Sequence, residues 1–353
     1  MEVIHKETNF ARAFYFFAFV FLIVYALNSL SNILTPIAIA ILIWFLINAI
    51  ANQIKKIPFL KNRVGDNIAI PLSLIFIVYS MVEIGSFITS SMMELSSTIS
   101  LLDEKVNTLI KDLSTITAID LTTPLQKFFQ EFSLSGLINK VITAFSAIFG
   151  NLIQIFLYVL FLLIDQQFFN AKLNALFPKI ENRIKAEHIL TSISKSVRTY
   201  ISITTVISII TGLITYIICE FFSLHGAVLW GFIAFVLNFI PTIGSIITII
   251  IPTIFALVQF SDLSQVLFLF VSLAMIQFIT GNIIYPKLMG NKLNISQFVV
   301  ILSLVIWGAM WGTVGMFLSI PLMMILMIIL SQFDGTRNIA ILISGDGTIF
   351  EKK

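Results

Sequence analysis

Residues 226–258 read GAVLWGFIAFVLNFIPTIGSIITIIIPTIFALV, an uncharged stretch of 33 residues. As one straight helix it would be about 50 Å long, which exceeds the ~30 Å hydrocarbon core of a bilayer. Its middle holds Asn238, Pro241 and Gly244. Proline removes a backbone donor and clashes with the preceding helical turn, and glycine lowers helix propensity. The stretch therefore predicts a helical hairpin with two short arms.

Residues 298–330 form a second interrupted stretch of 33 residues, and one ordinary span at 263–285 lies between the two. Paired interrupted segments indicate a transporter binding site, because non-helical backbone inside a membrane needs protein or water to satisfy its polar groups. Alternatively, these residues only kink and pack a helix, since Gly308 and Gly312 fit a Gly-x-x-x-Gly packing motif. The predicted hinge residues of the two hairpins are Pro241, Gly244, Gly308, Gly312, Gly315 and Pro321.

The whole chain has the composition of a membrane protein. Of its 353 residues, 58% are hydrophobic and 11% are charged, whereas soluble domains carry about 25% charge. Four charge-free intervals are each long enough for a transmembrane helix, which needs about 20 residues. They separate Arg12 from Lys55, Lys140 from Asp165, Asp262 from Lys287, and Lys292 from Asp334. We therefore predict an all-α, multi-pass protein of the cell membrane.

Five hydrophobic spans are predicted before the first hairpin. They occupy residues 10–27, 33–50, 68–88, 141–164 and 200–222. The chain then divides into helices one to three in 1–88, an extracytoplasmic amphipathic segment in 89–140, the fourth helix in 141–164, a cytoplasmic basic amphipathic segment in 165–199, a transport unit with both hairpins in 200–330, and a cytoplasmic tail in 331–353.

Loop charges predict the orientation, because Lys and Arg near span ends stay on the cytoplasmic side. The loop between spans two and three holds four basic residues and one acid, and residues 165–199 hold six basic residues and three acids. Residues 89–140 hold four lysines and six acids. These counts place both termini in the cytoplasm and 89–140 outside. They favour chain reversal at both hairpins but leave re-entrant hairpins and pairs of full crossings open.

Residue content argues against several functional classes. One cysteine, Cys219, and three histidines far apart in sequence predict neither a metal site nor a cofactor. The chain has no Gly-x-x-x-x-Gly-Lys-Ser/Thr phosphate loop, which argues against an ATP-driven pump of that type. Its net charge is +3 with basic residues spread over the loops, so nucleic acid is not an expected partner. No convincing nucleophile and base pair can be placed together, so no enzyme activity is predicted.

Neutral polar residues in the spans are the candidate binding groups for a small polar solute. Asn238 and Thr242 lie at the first interruption, and Gln277 and Asn282 lie in the next span. Each could instead bond a neighbouring helix, which contributes about 0.6 kcal/mol on average. Glu83, near the end of span three, is the candidate proton or cation site. The alternative for Glu83 is a water-reaching carboxylate at the membrane interface.

Two further segments show helical patterns outside the membrane. Residues 181–198 carry Ile189, Ile193 and Val197 on one stripe and predict a basic surface helix near anionic lipid. In 89–140, a 3.5-residue repeat predicts a helix whose apolar seam packs on its own chain or a neighbouring subunit, with ligand sensing as the alternative. The seam residues are Leu95, Ile99, Leu102, Val106, Leu109, Leu113 and Ile116.

An ordered set of short motifs runs from about residue 190 to 330: Val197-Arg-Thr-Tyr-Ile, Asn238-Phe-Ile-Pro-Thr-Ile-Gly, Pro252, Pro286-Lys-Leu-Met-Gly-Asn-Lys-Leu, Val299-Val-Ile-Leu-Ser-Leu, Trp307-Gly, Gly312, Gly315 and Pro321-Leu. In order and spacing this set resembles the autoinducer-2 exporter family, and the span layout is similar from the N-terminus onward. Thr242, Tyr285 and the pair Ser296-Gln297 depart from the residues frequent in that family.

The resemblance implies export of a small polar solute, such as the signal molecule autoinducer-2, by a secondary or facilitative alternating-access mechanism. It also implies a homo-oligomer, expected to be a pentamer. Sodium/proton exchange is attributed to other members, so a monovalent cation/proton antiporter is the first alternative. A non-transporting membrane scaffold or sensor is the second. The expected partners are therefore membrane lipid and a small polar solute or a monovalent cation.

Overall fold

The computed structural model describes residues 2–57, 65–83, 85–86, 150–290 and 294–348. The regular structure in these ranges is helical, with an isolated backbone bridge between Ile295 and Ser344. These ranges also contain a 3₁₀ turn (Gln166–Phe168) and a π-helix (Thr280–Ile284). The α-helices are α1 (Glu2–Ser29), α2 (Ser31–Ile54), α3 (Asp66–Glu83), α4 (Leu152–Asp165), α5 (Phe169–Leu176), α6 (Ile180–Phe221), α7 (Ala227–Leu237), α8 (Ile243–Gln259), α9 (Leu263–Ile279), α10 (Tyr285–Met289), α11 (Gln297–Ser331) and α12 (Arg337–Ile343).

The described residues contain six helical segments long and apolar enough to cross a membrane. They are Ser31–Ile54, Asp66–Glu83, Leu152–Leu176, Ile180–Phe221, Leu263–Met289 and Gln297–Ser331. Large apolar side chains cover their outer faces, as Phe268 does with 66% of its surface exposed, and such surfaces match the apolar tails of lipid. The prediction of an all-helical, multi-pass membrane protein is confirmed over this part of the chain. The predicted seam of Leu95 to Ile116 lies outside the described residues, as do residues 141–149.

The predicted surface helix at 181–198 and the predicted fifth span form one helix, α6, of 42 residues. At 1.5 Å per residue it is about 63 Å long, roughly twice the hydrocarbon core. The change from charged to apolar residues suggested a boundary near residue 199. The backbone nevertheless continues, because residues 180–211 contain neither proline nor glycine.

The helix α7 lies unusually close to α6 because two glycines face each other. A Cβ atom on Gly212 would lie 2.8 Å from the carbonyl oxygen of Gly231, and one on Gly231 would lie 2.7 Å from Tyr216 Cβ. Small residues let helix backbones approach in this way inside membranes. Trp230, which is 1% exposed, then packs against Phe255 of α8 with 5.5 Å between ring centroids. The three helices α6, α7 and α8 thus share one apolar core.

The C-terminal segment is bound to the start of α11. The Ser296 N–H donates to the Ile343 carbonyl at 3.0 Å, and Asn294 Nδ2 donates to the Thr348 carbonyl at 2.9 Å. Asp346 accepts hydrogen bonds from the Thr348 hydroxyl and N–H, and these bonds lower the pKa of its carboxyl. Because Ile343 lies shortly after the end of α11, these contacts bring both ends of α11 to one side of the protein.

Replacing Gly231 with Ala should destabilise the protein, because the added methyl group meets the α6 backbone and Tyr216. Overpacking of this kind costs about 1–3 kcal/mol. We expect the thermal unfolding midpoint in detergent to fall by several degrees. The control is Gly150→Ala, since a Cβ at Gly150 has no atom of the described residues within 4 Å. Equal midpoints for the two variants would contradict the close approach of α6 and α7.

Candidate functional site

The first hairpin reverses between α7 and α8. Pro241 has no N–H to continue the α7 hydrogen-bond pattern, and Thr242 adopts φ 63° and ψ −56°. Gly244 then lies so close to Leu237 that a Cβ on Gly244 would be 1.8 Å from the Leu237 carbonyl oxygen. In a continuous helix the two residues would be about 10 Å apart along the axis. The chain therefore turns back at this point.

Both ends of the first hairpin lie together. Gln259, at the end of α8, donates its Nε2 to the Ser223 carbonyl at 2.7 Å and accepts the His225 N–H on its Oε1 at 2.8 Å. The α7 arm has 11 residues, which is about 16 Å of helix and about half of a ~30 Å hydrocarbon core. The tip is therefore about half a bilayer away from the ends that Gln259 connects.

The second interruption lies inside α11, at Trp311 (φ −124°, ψ 15°) and Gly312 (φ 61°, ψ −144°). A Cβ on Gly315 would lie 1.8 Å from the Trp307 carbonyl oxygen, so this chain also turns back. Gly308 faces Met316 across the turn, and a Cβ on Gly308 would lie 2.9 Å from Met316 Cγ. The segment thus consists of two arms, residues 297–310 and 313–331, rather than one straight helix.

The two arms of the second hairpin are joined by a hydrogen bond. The buried Ser303 hydroxyl donates to the Ser319 carbonyl at 2.9 Å. Pro321 lies two residues further along the second arm, is buried, and does not interrupt the helix. Pro321 therefore lies in the wall of this hairpin rather than at its turn.

The two hairpins meet through aromatic side chains next to a polar pair. Phe239, at the first tip, stacks on Phe317 with 4.6 Å between ring centroids and 24° between ring planes. Phe235 packs edge-on against Phe239 at 5.9 Å. Asn238 donates its Nδ2 to the hydroxyl of the fully buried Ser208 on α6 at 3.0 Å. The first tip, the second hairpin and α6 therefore converge at Asn238.

A second polar pair connects α8 to α9. Gln277 donates its Nε2 to the Thr248 hydroxyl at 2.8 Å, and both side chains are buried. The Thr248 hydroxyl donates in turn to the Gly244 carbonyl at 3.0 Å. Because Gly244 is part of the first turn, this pair is attached to the same hairpin tip as Asn238.

Two of the four predicted binding residues, Asn238 and Gln277, belong to these pairs. Thr242 is exposed at the tip itself. Asn282 is exposed on the π-helix, and its Nδ2 donates to the Phe278 carbonyl of its own helix segment at 3.2 Å. The structure thus brings Asn238, Thr242 and Gln277 to one hairpin and leaves Asn282 on an outer face.

Glu83, the candidate ion site, lies near the end of the described part of α3 and is half-buried. The Tyr79 hydroxyl is its hydrogen-bond partner. The apolar side chains of α3 pack with those of α2 and α4, whereas the two hairpins contribute to a different cluster. Among the described residues, no group of three or more His, Cys, Asp or Glu side chains could hold a metal ion.

The sequence did not single out Ser208, although α6 carries a signal for it. Four hydroxyl-bearing residues are spaced by four, three and four positions, which places them on one helix face. All four are buried: Thr204, Ser208, Thr211 and Thr215. Such a stripe predicts that this face of α6 contacts polar groups of another helix. It does not predict Asn238 as the partner of Ser208, because only the turn of the first hairpin brings Asn238 there.

Known proteins resemble this chain over most of its length. The family model described as "AI-2E family transporter" matches residues 14–335. The AI-2 transport protein TqsA of Escherichia coli (strain K12) is 29% identical over 319 residues, which cover 89% of this chain and 90% of that relative. Two proteins named provisionally as transport proteins are each 33% identical. The match to the protein from Borreliella burgdorferi covers 61% of this chain and 60% of that relative. The match to the protein from Haemophilus influenzae covers 64% of this chain and 68% of that relative.

The Asn238–Ser208 hydrogen bond should appear as a coupling energy between the two positions. In a double-mutant cycle of Asn238→Ala and Ser208→Ala, the losses of unfolding free energy should be non-additive by about 0.6 kcal/mol, the average for such bonds in membranes. The measurement is reversible unfolding in mixed micelles. The control cycle combines Asn238→Ala with Ser272→Ala, whose hydroxyl bonds only its own helix in the described structure, at the Phe268 carbonyl. Additive losses in the Asn238–Ser208 cycle would refute the pair.

Proposed function

Because the chain belongs to the AI-2E transporter family, we propose that it exports a small polar solute across the cell membrane. The observation that carries the proposal is the convergence of the first hairpin tip, the second hairpin and α6 at Asn238. Paired interrupted helices are typical of transporter binding sites. The relative TqsA is named an AI-2 transport protein, so the proposed solute is autoinducer-2 or a molecule of similar polarity.

In the proposed arrangement both hairpins are re-entrant and enter from opposite sides, with both termini in the cytoplasm. The Gln259 contacts support a first hairpin that starts and ends outside. The bond from Ser296 to Ile343 supports a second hairpin that starts and ends inside. Trp311, next to the second turn, donates its Nε1 to the Leu27 carbonyl at 3.0 Å. Leu27 lies near the outer end of α1 in this orientation, which agrees with a second hairpin that points outward.

The proposed binding groups are neutral, and this suits an uncharged solute that carries hydroxyl groups. The Asn238 amide can both donate and accept, and the Ser208 hydroxyl can do the same. A solute hydroxyl inserted between them would replace their mutual hydrogen bond, so neither group would be left unpaired. Thr242, Thr248 and Gln277 would extend the polar surface along the hairpin. Glu83 is on α3, whose apolar side chains pack in another cluster, and it is not assigned to the solute.

The proposed transport step is a movement of the first hairpin tip against α6 and the second hairpin. The contacts that would exchange are the Asn238–Ser208 hydrogen bond and the Phe239–Phe317 stack. Each is worth about 1 kcal/mol, so their rearrangement is within the reach of solute binding. Alternating access would result if the solute could reach Asn238 from only one side at a time. Assembly as a homo-oligomer, expected to be a pentamer from the family resemblance, is part of this proposal.

Purified protein in liposomes loaded with labelled autoinducer-2 should release the label faster than protein-free liposomes. Asn238→Ala should reduce the initial rate about two- to tenfold, because one neutral hydrogen bond contributes about 0.5–1.5 kcal/mol. Asn282→Ala is the matched control, since the same amide is removed from an exposed position. Its rate should equal that of the unaltered protein.

Three results would argue against this proposal. Equal rates for the Asn238 and Asn282 variants would refute the site while leaving transport intact. Sodium-dependent changes of internal pH without release of autoinducer-2 would favour cation/proton exchange. If the protein shows neither solute release nor cation/proton exchange while size-exclusion chromatography shows an intact oligomer, both kinds of transport are refuted.

A further inference from the structure

Three hydroxyl groups come together one helical turn before Ser208 on α6. Thr204 is 1% exposed, Tyr200 is 2% exposed, and Tyr285 of α10 is half-buried. The Thr204 hydroxyl lies beside both tyrosine hydroxyls. Its Oγ1 is nevertheless buried without a hydrogen bond of ordinary geometry. A buried polar group in this condition costs about 1–3 kcal/mol unless a partner is supplied, so the cluster points to a ligand that brings hydroxyl groups.

Tyr285 lies on a short helix between two irregular backbone segments. The π-helix Thr280–Ile284 ends directly before it, and Gly290, with φ 52°, follows the five-residue α10. Pro286 provides no N–H for the helical hydrogen-bond pattern. Single π-helical turns occur frequently at functional sites. These breaks separate α10 from the regular helix α9, which contacts the first hairpin through the Gln277–Thr248 hydrogen bond.

Tyr200 and Thr204 of the cluster lie on the same helix as Ser208, which belongs to the proposed binding site. Thr204 precedes Ser208 by four residues, which is about 6 Å along α6. The first hairpin begins beyond the other end of α6, after Phe221, so Thr204 is on the side of Ser208 away from the hairpin ends. In the proposed orientation this is the cytoplasmic side. A solute that enters from the cytoplasm would therefore meet Thr204 before Asn238.

We propose that Tyr200, Thr204 and Tyr285 form a second binding site for the hydroxyl-bearing solute on the cytoplasmic approach to Asn238, and that Tyr285 closes this approach. The inference rests on the proposed function and its orientation, and it adds an entry site to the one already described. The solute donates to, or accepts from, the unpaired Thr204 hydroxyl. When α10 moves the Tyr285 hydroxyl away from the solute, the approach opens. When α10 moves it back, the approach closes.

The test uses unidirectionally oriented proteoliposomes and labelled autoinducer-2 presented to one face at a time. Thr204→Val removes the hydroxyl and keeps the side-chain shape. It should raise the KM for solute at the cytoplasmic face about three- to tenfold, the loss expected for one neutral hydrogen bond. The KM for solute at the outer face should stay unchanged. Tyr285→Phe should show the same asymmetry.

Matched controls remove the same groups elsewhere. Thr253→Val deletes a hydroxyl that bonds the Ile249 carbonyl of its own helix at 2.7 Å. Tyr25→Phe deletes a hydroxyl from a side chain that is 63% exposed. Both should leave the KM at either face unchanged. Thr204→Ser removes the methyl group, keeps the hydroxyl, and should retain the KM of the unaltered protein. It therefore separates loss of the hydroxyl from loss of packing if Thr204→Val assembles poorly.

The outcomes separate this inference from the proposed function. If the unaltered protein transports the solute, and Tyr285→Phe and Thr204→Val both keep its cytoplasmic KM, the entry site is overturned and the proposed function stands. An equal rise of KM at both faces also overturns it, because Thr204 would then act on the common site. No transport by the unaltered protein overturns the proposed function together with this inference.

Discussion

A peptide group that leaves helical geometry inside a bilayer must find its hydrogen-bond partner within the protein or in enclosed water. The turn of the first hairpin meets this requirement locally. Ile240 N–H donates to the Leu237 carbonyl at 2.8 Å, and Gly244 N–H donates to the Ile240 carbonyl at 3.1 Å. The turn is compact because Gly244 lacks a side chain where its backbone meets Leu237. Asn238 and Phe239, directly before this turn, pack against α6 and Phe317, whereas Thr242 of the turn is exposed.

The interruptions could be read from the sequence because proline and glycine act through their own backbone chemistry. Pro241 and Gly312 lie at or beside the observed turns for that reason. The continuity of α6 was harder to predict, because a charged and an apolar half suggest two elements while the backbone lacks a residue that ends a helix. The partners of the tip, Ser208 and Phe317, could not be predicted. They lie 30 and 78 positions from Asn238 and Phe239, and only the fold brings them together.

Some polar groups of the described core lie at backbone irregularities, whereas four buried hydroxyl groups lie on the continuous helix α6. Asn238 precedes a turn, Thr248 bonds the carbonyl of a turn glycine, and Tyr285 follows a π-helix. At these three positions, backbone N–H and C=O groups outside the regular helical pattern lie next to polar side chains that can exchange hydrogen-bond partners. The regular helices α2 and α4 pack through apolar side chains, and Asn48 of α2 also donates its Nδ2 to Gln166 Oε1, just after α4, at 3.2 Å. The polar contacts of the first hairpin therefore join irregular backbone, at Asn238 and Thr248, to the regular helices α6 and α9.

The uninterrupted length of α6 also has a mechanical consequence. Ile180 and Ser208 are separated by 28 residues of one helix, or about 42 Å. A tilt of about 10° around the other end of α6, at Phe221, would move Ser208 sideways by about 3 Å and Ile180 by about 11 Å, given that rise per residue. The helix is thus a lever that carries Ser208 near its pivot and whose far end projects beyond the hydrocarbon. Any molecule that grips the projecting end would gain leverage over the groups that face Asn238.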